Sequence, residues 1–472
     1  MTVQTVIVLA AGEGTRMKSA TPKVLHSVAG RSLLGHVLHA VNHLNPTELR
    51  IVVGSGREAV EAHIAQIAPK ATTVFQEHRG GTGHAAQLAL AGKTPKGTVL
   101  VLAGDTPLLS ADTLAEFVAA HSAGKFAASV LTAEHPEPTG YGRIIRDDSD
   151  ELLRIVEEKD ATDDEKFIFE INSGVYAFDG EKLAASIGKL TNANAQGELY
   201  LTDVIGILKS SGESIAAIMI DDFTETLGVN DRVQLAESAA MLRDRINDEW
   251  MHAGVTIIDP TTTWIDSTVE LSPDVTLHPG TALLGSTKIA TGAVIGPRTT
   301  LTDCVVKEGA QVLESIALQT VIGEGASVGP FTYLRAGTQL GDATKAGAFV
   351  EMKNAVVGTG SKVPHLSYVG DATIGEGSNI GAATIFVNYD GVEKHHTTVG
   401  DQVRIGSDTM LVAPVSIGDG AYTAAGSVIT EDVPAGAIGV GRAKQRNVLD
   451  WVLRKRAGSK SAQAAEASTK KG

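Results

Sequence analysis

The sequence predicts two unlike folds in one chain: an α/β half with a Rossmann-like, mixed sheet, and a C-terminal parallel β-helix. Three observations predict them. Apolar runs such as Thr5 to Ala10, Arg50 to Val53 and Thr98 to Ala103 alternate with helical patterns such as Leu33 to Val41 and Ala85 to Ala91. Such alternation builds a mostly parallel sheet with helices on both faces. Small apolar residues then return at every sixth position, through Ile322, Val328, Leu334, Leu340, Ala346 and Met352, and again through Val399, Ile405, Leu411, Ile417, Thr423 and Ile429. That period fits a coil whose three short strands per turn each put one apolar side chain on the axis. Between the two patterns, Leu235, Ala239, Leu242, Ile246 and Trp250 recur three or four apart, an amphipathic connecting helix with Gly254 as its stop. The expected divisions are 1–230, 231–254, 255–450 and 451–472, the last expected to be mostly disordered from Ala457 to Gly472.

Composition bounds the function. The chain of 472 residues is 43% hydrophobic and only 4% aromatic, with 51 glycines, which suits a narrow, turn-rich coil better than a sandwich core. A net charge of −15 argues against nucleic-acid binding and leaves anionic ligands only where local cations receive them. The single cysteine, Cys304, excludes a disulfide framework within the chain and points to a reducing compartment. Val6-Ile7-Val8-Leu9 enters a strand without the pattern of a signal peptide, and no apolar run is long enough to span a bilayer. The expectation is a soluble cytoplasmic protein.

Ligands of such a sheet collect at the carboxyl ends of its strands. There the first strand runs into Ala11-Gly12-Glu13-Gly14-Thr15-Arg16-Met17. Glycines let backbone N–H groups approach a phosphate, and Arg16 and Lys23 add positive charge. The P-loop ending and the full GxGxxG spacing are both absent, and taken alone the segment reads equally as a tight turn. Gln76-Glu-His-Arg-Gly-Gly81-Thr82-Gly83-His84 is a second Gly-rich loop entering a helix. Gly104-Asp105 ends a strand and puts a carboxylate at the ligand edge, where a hard metal such as Mg²⁺ takes one or two oxygens besides phosphates. The other reading of Asp105 is a loop cap before Pro107. Tyr141-Gly142-Arg143, Glu157 and Asn172-Ser173-Gly174 are candidates for sugar contacts that read otherwise as turns and surface carboxylates. From position alone Asn230 reads equally as an N-cap of the connecting helix or as a ligand-site residue, and a neighbouring residue can fill either role.

The string Leu9-Ala-Ala-Gly-Glu-Gly-Thr-Arg-Met17, followed by Pro22-Lys23-Val24-Leu25, resembles the signature of the sugar-phosphate nucleotidyltransferases, pyrophosphorylases that make nucleotide sugars. With GTGHA, GD, TGYGRI, IVEEKDAT, EINSGVY, AQGELYLTD and GVND in order, the likeness extends from about residue 3 to residue 450. It narrows to the family of bacterial bifunctional N-acetylglucosamine-1-phosphate uridyltransferase/glucosamine-1-phosphate acetyltransferases. The resemblance implies that Leu9, Ala10, Ala11, Gly12, Gln76, Gly81 and Thr82 hold uridine, with Ala103 and Gly104 beside them. It implies that Arg16 and Lys23 meet the phosphates, that Gly142, Glu157 and Asn172 hold the sugar, and that Asp105 and Asn230 bind Mg²⁺. Ala103 stands where that family is often aromatic.

The six-residue rhythm already runs through Leu277, Leu283, Ile289, Ile295 and Leu301, slips, and resumes at Ile322. It shortens to five at Val357 and again at Ile374, and an insertion from Phe386 to Thr397 interrupts it. Insertions in repeat folds leave from one face and often make the binding surface. Attention therefore falls on that loop and on the altered rungs around His365, which alone reads as a structural turn histidine. Arg335 and Lys353, eighteen residues apart, stack on consecutive coils; they face either solvent or an anion such as a sugar phosphate. His395 and His396 lack a third ligand for a metal.

The same resemblance implies a left-handed coil, a homotrimer with shared active sites, and acetyl-CoA as co-substrate. His365 would take a proton from the amine of glucosamine 1-phosphate as it attacks the thioester. Arg335, Lys353, Tyr368, Asn379 and Lys394 match the sugar-phosphate site. Ala382, Asn388, Tyr389, Ser407, Ala425 and Arg442 match acetyl-CoA positions, and Ala383 stands where Gly is common. N-acetylglucosamine 1-phosphate would then react with UTP, giving UDP-N-acetylglucosamine for peptidoglycan and cell-envelope precursors. Two other readings remain: a nucleotidyltransferase whose coil only oligomerises or regulates, and a structural spacer, against which the insertion and the basic pair argue.

Overall fold

The computed structural model describes residues 3–470, which form two compact units divided between Thr287 and Lys288. In the first unit a nine-stranded sheet has the main order Ile215–Met219, Ala128–Glu134, Glu170–Asp179, Thr98–Ala103, Thr5–Ala10, Glu48–Val53, Thr72–Phe75. Neighbours on this path are parallel except around Glu170–Asp179, which runs antiparallel to both its neighbours and makes the sheet mixed, as expected. The alternation of side chains along a strand gives the sheet two apolar faces. Val6, Val8 and Ala10 pack with Leu34, Val37 and Val41, while Ile7 packs on the other face with Ala85, Ala86 and Ala89. Because Thr5–Ala10, Thr72–Phe75 and Thr98–Ala103 share one direction, the loops after them open at one edge.

The connecting helix spans Arg232–His252 and ends before Gly254, whose φ of 94° suits glycine. Its N-cap is Asp231, whose carboxylate accepts from the Val233 and Gln234 N–H groups at 2.9 Å each. Of the two readings of Asn230, the cap therefore falls to its neighbour Asp231, and the Asn230 side-chain oxygen is turned towards Lys23. The wholly buried Asn247 ties the helix to the first coil segment, donating to the Pro260 carbonyl at 2.9 Å and the Thr263 carbonyl at 3.1 Å.

In the second unit, short strands repeat three to a coil and each pairs in parallel with its counterpart one coil on. One face carries Ser327, Lys345, Lys362, Asn379, Arg404 and Tyr422 in register. A second carries Ile316, Tyr333, Glu351, Tyr368, Ile385 and Met410. The third carries Val305, Val321, Gln339, Val356, Thr373 and Thr398. This is the parallel β-helix expected, of the left-handed hexapeptide class. The predicted axial residues from Ile289 to Ile429 are all buried, and Val306, Val312 and Ala317 fill the stretch where the period slips.

Glycine follows many axial residues for a steric reason. A Cβ on Gly358 would stand 2.7 Å from the backbone of Gly375 in the next coil. A second buried position, four residues after most axial ones, was not foreseen; it holds Thr332, Thr338, Thr344, Ser361, Ser367, Ser378, Thr384 and Thr409. Many of these hydroxyls cap turn carbonyls, as Thr384 does for Gly381 at 2.7 Å and Thr344 for Gly341 at 2.9 Å, so that buried acceptors are satisfied.

The C-terminal segment differs from expectation. Lys460–Thr469 is a helix capped by Ser459, whose hydroxyl accepts from the Ala462 N–H at 3.1 Å. Four alanines within it, Ala462, Ala464, Ala465 and Ala467, favour helix even without an apolar stripe, whereas Lys471 and Gly472 lie outside the described residues. Among the described residues no helix is long and apolar enough to cross a membrane.

Replacing Asn247 by Ala removes both donors to the coil carbonyls. Equilibrium denaturation should show a loss of about 2 kcal/mol, the cost of stranding the buried Thr263 carbonyl, whereas the Pro260 carbonyl keeps the Thr263 N–H at 3.3 Å.

Candidate active sites

At the carboxyl edge of the N-terminal sheet lies a cavity of about 780 Å³. It brings together Leu9, Ala10, Ala11, Gly12, Arg16, Lys23, Gln76, Gly81, Thr82, Ala103, Asp105, Glu157, Asn172 and Asn230. Gly104 and Gly142 stand behind this lining. The Gly104 N–H donates to the Leu9 carbonyl, and the Gly142 carbonyl accepts from the Asn172 N–H, both at 2.9 Å. Sequence reasoning missed Arg79, Tyr176, Gln196 and Glu198, which also line the cavity. Arg79 pairs with Glu13 across two of its loops.

Lys23 sits on a short turn, Lys23–Leu25, that begins after Pro22. Its ammonium pairs with the Asp105 carboxylate and lies 3.2 Å from the Asn230 side-chain oxygen. The Val229 N–H donates to the Asp105 carbonyl at 2.9 Å, which fixes the strand end beside the turn bearing Asn230. Two hard oxygens thus converge on one cation, an arrangement that fits a divalent metal completed by phosphate oxygens. Among the described residues no group of three or more His, Cys, Asp or Glu side chains forms a self-sufficient metal site.

The far wall is acidic and partly dry. Burial pushes the Glu157 carboxyl above its ordinary range, the Thr202 hydroxyl at 3.2 Å works against this, and Asp203 and Asp160 add to it. The Asn172 amide donates to the Tyr176 hydroxyl at 2.7 Å and accepts from the Gly174 N–H at 3.1 Å, so its orientation is set. Burial drives the Tyr176 phenol strongly upward, so it stays neutral and serves as a hydrogen-bonding group.

The coil gathers its candidates at two corners. At one, backbone hydrogen bonds run up a column: Ala383 N–H to His365, Asp408 N–H to Ala382, and Gly426 N–H to Ser407. Ala425 adjoins Gly426, and the Arg442 side chain passes beside it. The column therefore aligns His365 with Ala382, Ser407, Ala425 and Arg442. Below it, Phe331, Phe349 and Leu366 adopt left-handed φ values of 57°, 58° and 50°, unusual for bulky residues, and are more than half exposed.

At the other corner, the Leu334–Met352 and Lys353–Gly370 pairings set Arg335 and Lys353 on consecutive coils, with Tyr368 on the adjoining face. Arg335 pairs with Glu351 at 3.0 Å. The insertion leaves from this same corner. Tyr389 bridges to Lys394 within it, the His395 ring meets Asp390 at 2.8 Å, and Lys394 approaches Lys353. The Lys394 contact holds the Lys353 ammonium below its ordinary value, with desolvation and further repulsion adding and Asp371 opposing. Asn388, buried, donates to Asp371. Asn379 lies on a different face, between Lys362 and Arg404, and one chain does not bring it to the basic group.

Comparison with known proteins matches both units. Residues 6–167 fit the MobA-like NTP transferase domain, and residues 396–431 fit the bacterial transferase hexapeptide (six repeats). The bifunctional protein GlmU of Streptomyces avermitilis is 56% identical over 469 residues, covering 99% of this chain and 97% of the relative. Those of Corynebacterium diphtheriae and Mycobacterium bovis are each 53% identical, covering 98% of this chain and 96% and 94% of theirs. With such identity spanning the nucleotide cavity and the coil alike, the chain belongs to the bifunctional GlmU family and is an enzyme that joins a uridyltransferase to an acetyltransferase in the synthesis of UDP-N-acetylglucosamine.

Proposed function

We propose that the coil acetylates glucosamine 1-phosphate with acetyl-CoA and that the N-terminal cavity couples the product to UTP. The observation that carries the second step is the convergence of Arg16, Lys23, Asp105 and Asn230 on one cavity whose far wall holds Glu157 and Asn172. Leu9, Ala10, Ala11, Gly12, Gln76, Gly81 and Thr82 hold the uridine end. Glu157 and Asn172, with Gly142 supporting Asn172 from behind, hold the sugar so that its phosphate oxygen faces the α-phosphate of UTP. A P–O bond forms there as the bond to pyrophosphate breaks, and Arg16 and Lys23 offset the charge gathering on the phosphate oxygens. Asp105 and Asn230 would hold Mg²⁺, which supplies charge neutralisation at those same oxygens.

In the coil, His365 takes a proton from the sugar amine as nitrogen attacks the thioester carbonyl; the C–S bond breaks and CoA leaves as its thiol. Arg335, Lys353, Tyr368 and Lys394 take the sugar phosphate, with Asn379 reaching it from a second copy of the chain. Ala382, Ser407, Ala425 and Arg442 form one side of the acetyl-CoA groove, and Asn388 and Tyr389 the other. Support for a homotrimer comes from this division of the groove between two corners and from the apolar ridge of Phe331, Phe349 and Leu366, which a second copy would cover. The soluble, cytoplasmic setting is part of the same reading.

The two steps should separate by mutation. Asp105→Ala is expected to lower pyrophosphate release at least about 100-fold, as loss of charge stabilisation does, with thiol release from acetyl-CoA unchanged. His365→Ala should do the reverse. Loss of both activities in either variant would contradict the assignment.

Glu157→Gln should show opposite effects on binding and stability. Its raised folded pKa means that the folded state gives up its proton less readily than the unfolded chain, so Glu157 costs stability as pH rises from the unfolded pKa through the folded one. At neutral pH the Gln variant should melt higher than the parent by scanning calorimetry, while KM for N-acetylglucosamine 1-phosphate rises.

A further inference from the structure

At the corner of the coil that holds the basic group, Asp371 lies at the centre of a hydrogen-bonded set drawn from three successive coils. One carboxylate oxygen accepts from the Asn354 side-chain amide at 2.8 Å, and the other from that of Asn388 at 2.5 Å. Asn354 and Asp371 both adopt left-handed φ values, 46° and 48°, a conformation that Asn and Asp tolerate better than most residues. Gly370 leaves the room for this set: a Cβ there would stand 2.5 Å from the Tyr368 hydroxyl and 2.8 Å from the Asn388 amide nitrogen. Burial alone would raise the Asp371 pKa, yet the two amides and the charges of Lys353 and Lys394 hold it below its ordinary value.

These contacts have two consequences. An ionised carboxylate only accepts hydrogen bonds, so both amides must turn their NH₂ groups towards it. The side-chain oxygens of Asn354 and Asn388 are thereby directed away. The second consequence is electrostatic. The charged groups around Lys353 are Lys394, Arg335 and Asp371, and Arg335 is already engaged by Glu351. Asp371 is therefore the carboxylate that offsets the close approach of the two lysines.

We propose that Asp371 is a positioning residue of the acetyl-transfer site, orienting the Asn388 amide and supplying the counter-charge that lets Lys353 and Lys394 serve one anionic substrate. This rests on the proposed acetyltransferase reading of the coil. Asp371 touches neither the reacting nitrogen nor the thioester; it acts through the residues that it holds.

The test uses the full chain and measures thiol release from acetyl-CoA with varied glucosamine 1-phosphate across pH. In Asp371→Asn, KM for the sugar phosphate should rise about tenfold or more, as expected for a lost charged hydrogen-bonding partner. KM is expected to rise at alkaline pH as the Lys353 ammonium loses its proton, and in Asp371→Asn that rise should begin at lower pH, because removing a negative charge beside Lys353 lowers the pKa of the ammonium. Asp371→Glu should return that rise towards its original pH. Asn354→Ala, which keeps the charge, should leave its pH position unchanged. Pyrophosphate release should be unaltered in all three. An unchanged KM, or a higher KM with its pH dependence unmoved in Asp371→Asn, overturns the inference. If Asp371→Asn does not fold, Asp371→Ser removes the same charge and carries the same two outcomes. Failure of the unsubstituted chain to release thiol would instead overturn the acetyltransferase reading itself.

Discussion

The stacking of one coil on the next constrains everything else in the second unit. Adjacent coils share parallel backbone hydrogen bonds, so each rung must place an apolar side chain inward and bring its turn close to the turn above. Gly341 and Gly358 show how little room this leaves, since a Cβ on either would meet backbone of the next coil at 2.9 Å and 2.7 Å. Register is consequently inherited from coil to coil. Any residue repeated at the same place in its rung becomes part of a column, and columns make a binding surface out of residues far apart in sequence. His365, Ala382, Ser407 and Ala425 are aligned in this way, as are Arg335 and Lys353.

On the proposed assignment, both sites face the same electrostatic difficulty, which is how to keep cations ready for phosphate without leaving them unopposed. Each solves it with a carboxylate. Lys23 lies against Asp105, Arg335 against Glu351, and Asp371 serves the Lys353–Lys394 pair. The Arg335–Glu351 pair is about 40% exposed on both sides, so solvent screens it and substrate can displace it at a cost of roughly 1 kcal/mol or less. Lys23 and Asp105 are far less exposed, at 11% and 17%, and rearranging them without a replacement charge is more costly. That asymmetry favours phosphate and cation arriving together in the N-terminal cavity.

Much of this was legible in the sequence because the fold is written in periods. The six-residue repeat identified the axial residues, and the breaks in it pointed to His365 and the insertion. The strands and first loops of the α/β half were equally plain. What escaped depends on long-range placement or on competition between neighbours. Asp231 rather than Asn230 caps the connecting helix, since either residue suits a cap and only the pull of Lys23 on Asn230 separates them. Arg79, Gln196 and Glu198 lie in segments that the sequence already singles out, but only the folded chain shows that their side chains line the cavity. Asp371 reads in sequence as an ordinary turn residue; its partners Asn354 and Asn388 are each seventeen residues away, the length of one shortened coil. The C-terminal helix was hidden by composition, because alanine-rich polar sequence without an apolar stripe resembles a disordered tail until its Ser459 cap is considered.

The proposed acetyl transfer needs the coil's interruption as well as the columns that its regularity builds. Phe386 and Val399 are thirteen residues apart, and deleting residues 389–395 would return them to the six-residue step of the repeat. The decisive measurement is thiol release from acetyl-CoA by that deletion variant, with pyrophosphate release and thermal unfolding followed on the same preparation. A folded protein that keeps uridylyl transfer and loses acetyl transfer is the predicted result. A folded protein that still acetylates glucosamine 1-phosphate at the original rate would contradict the account.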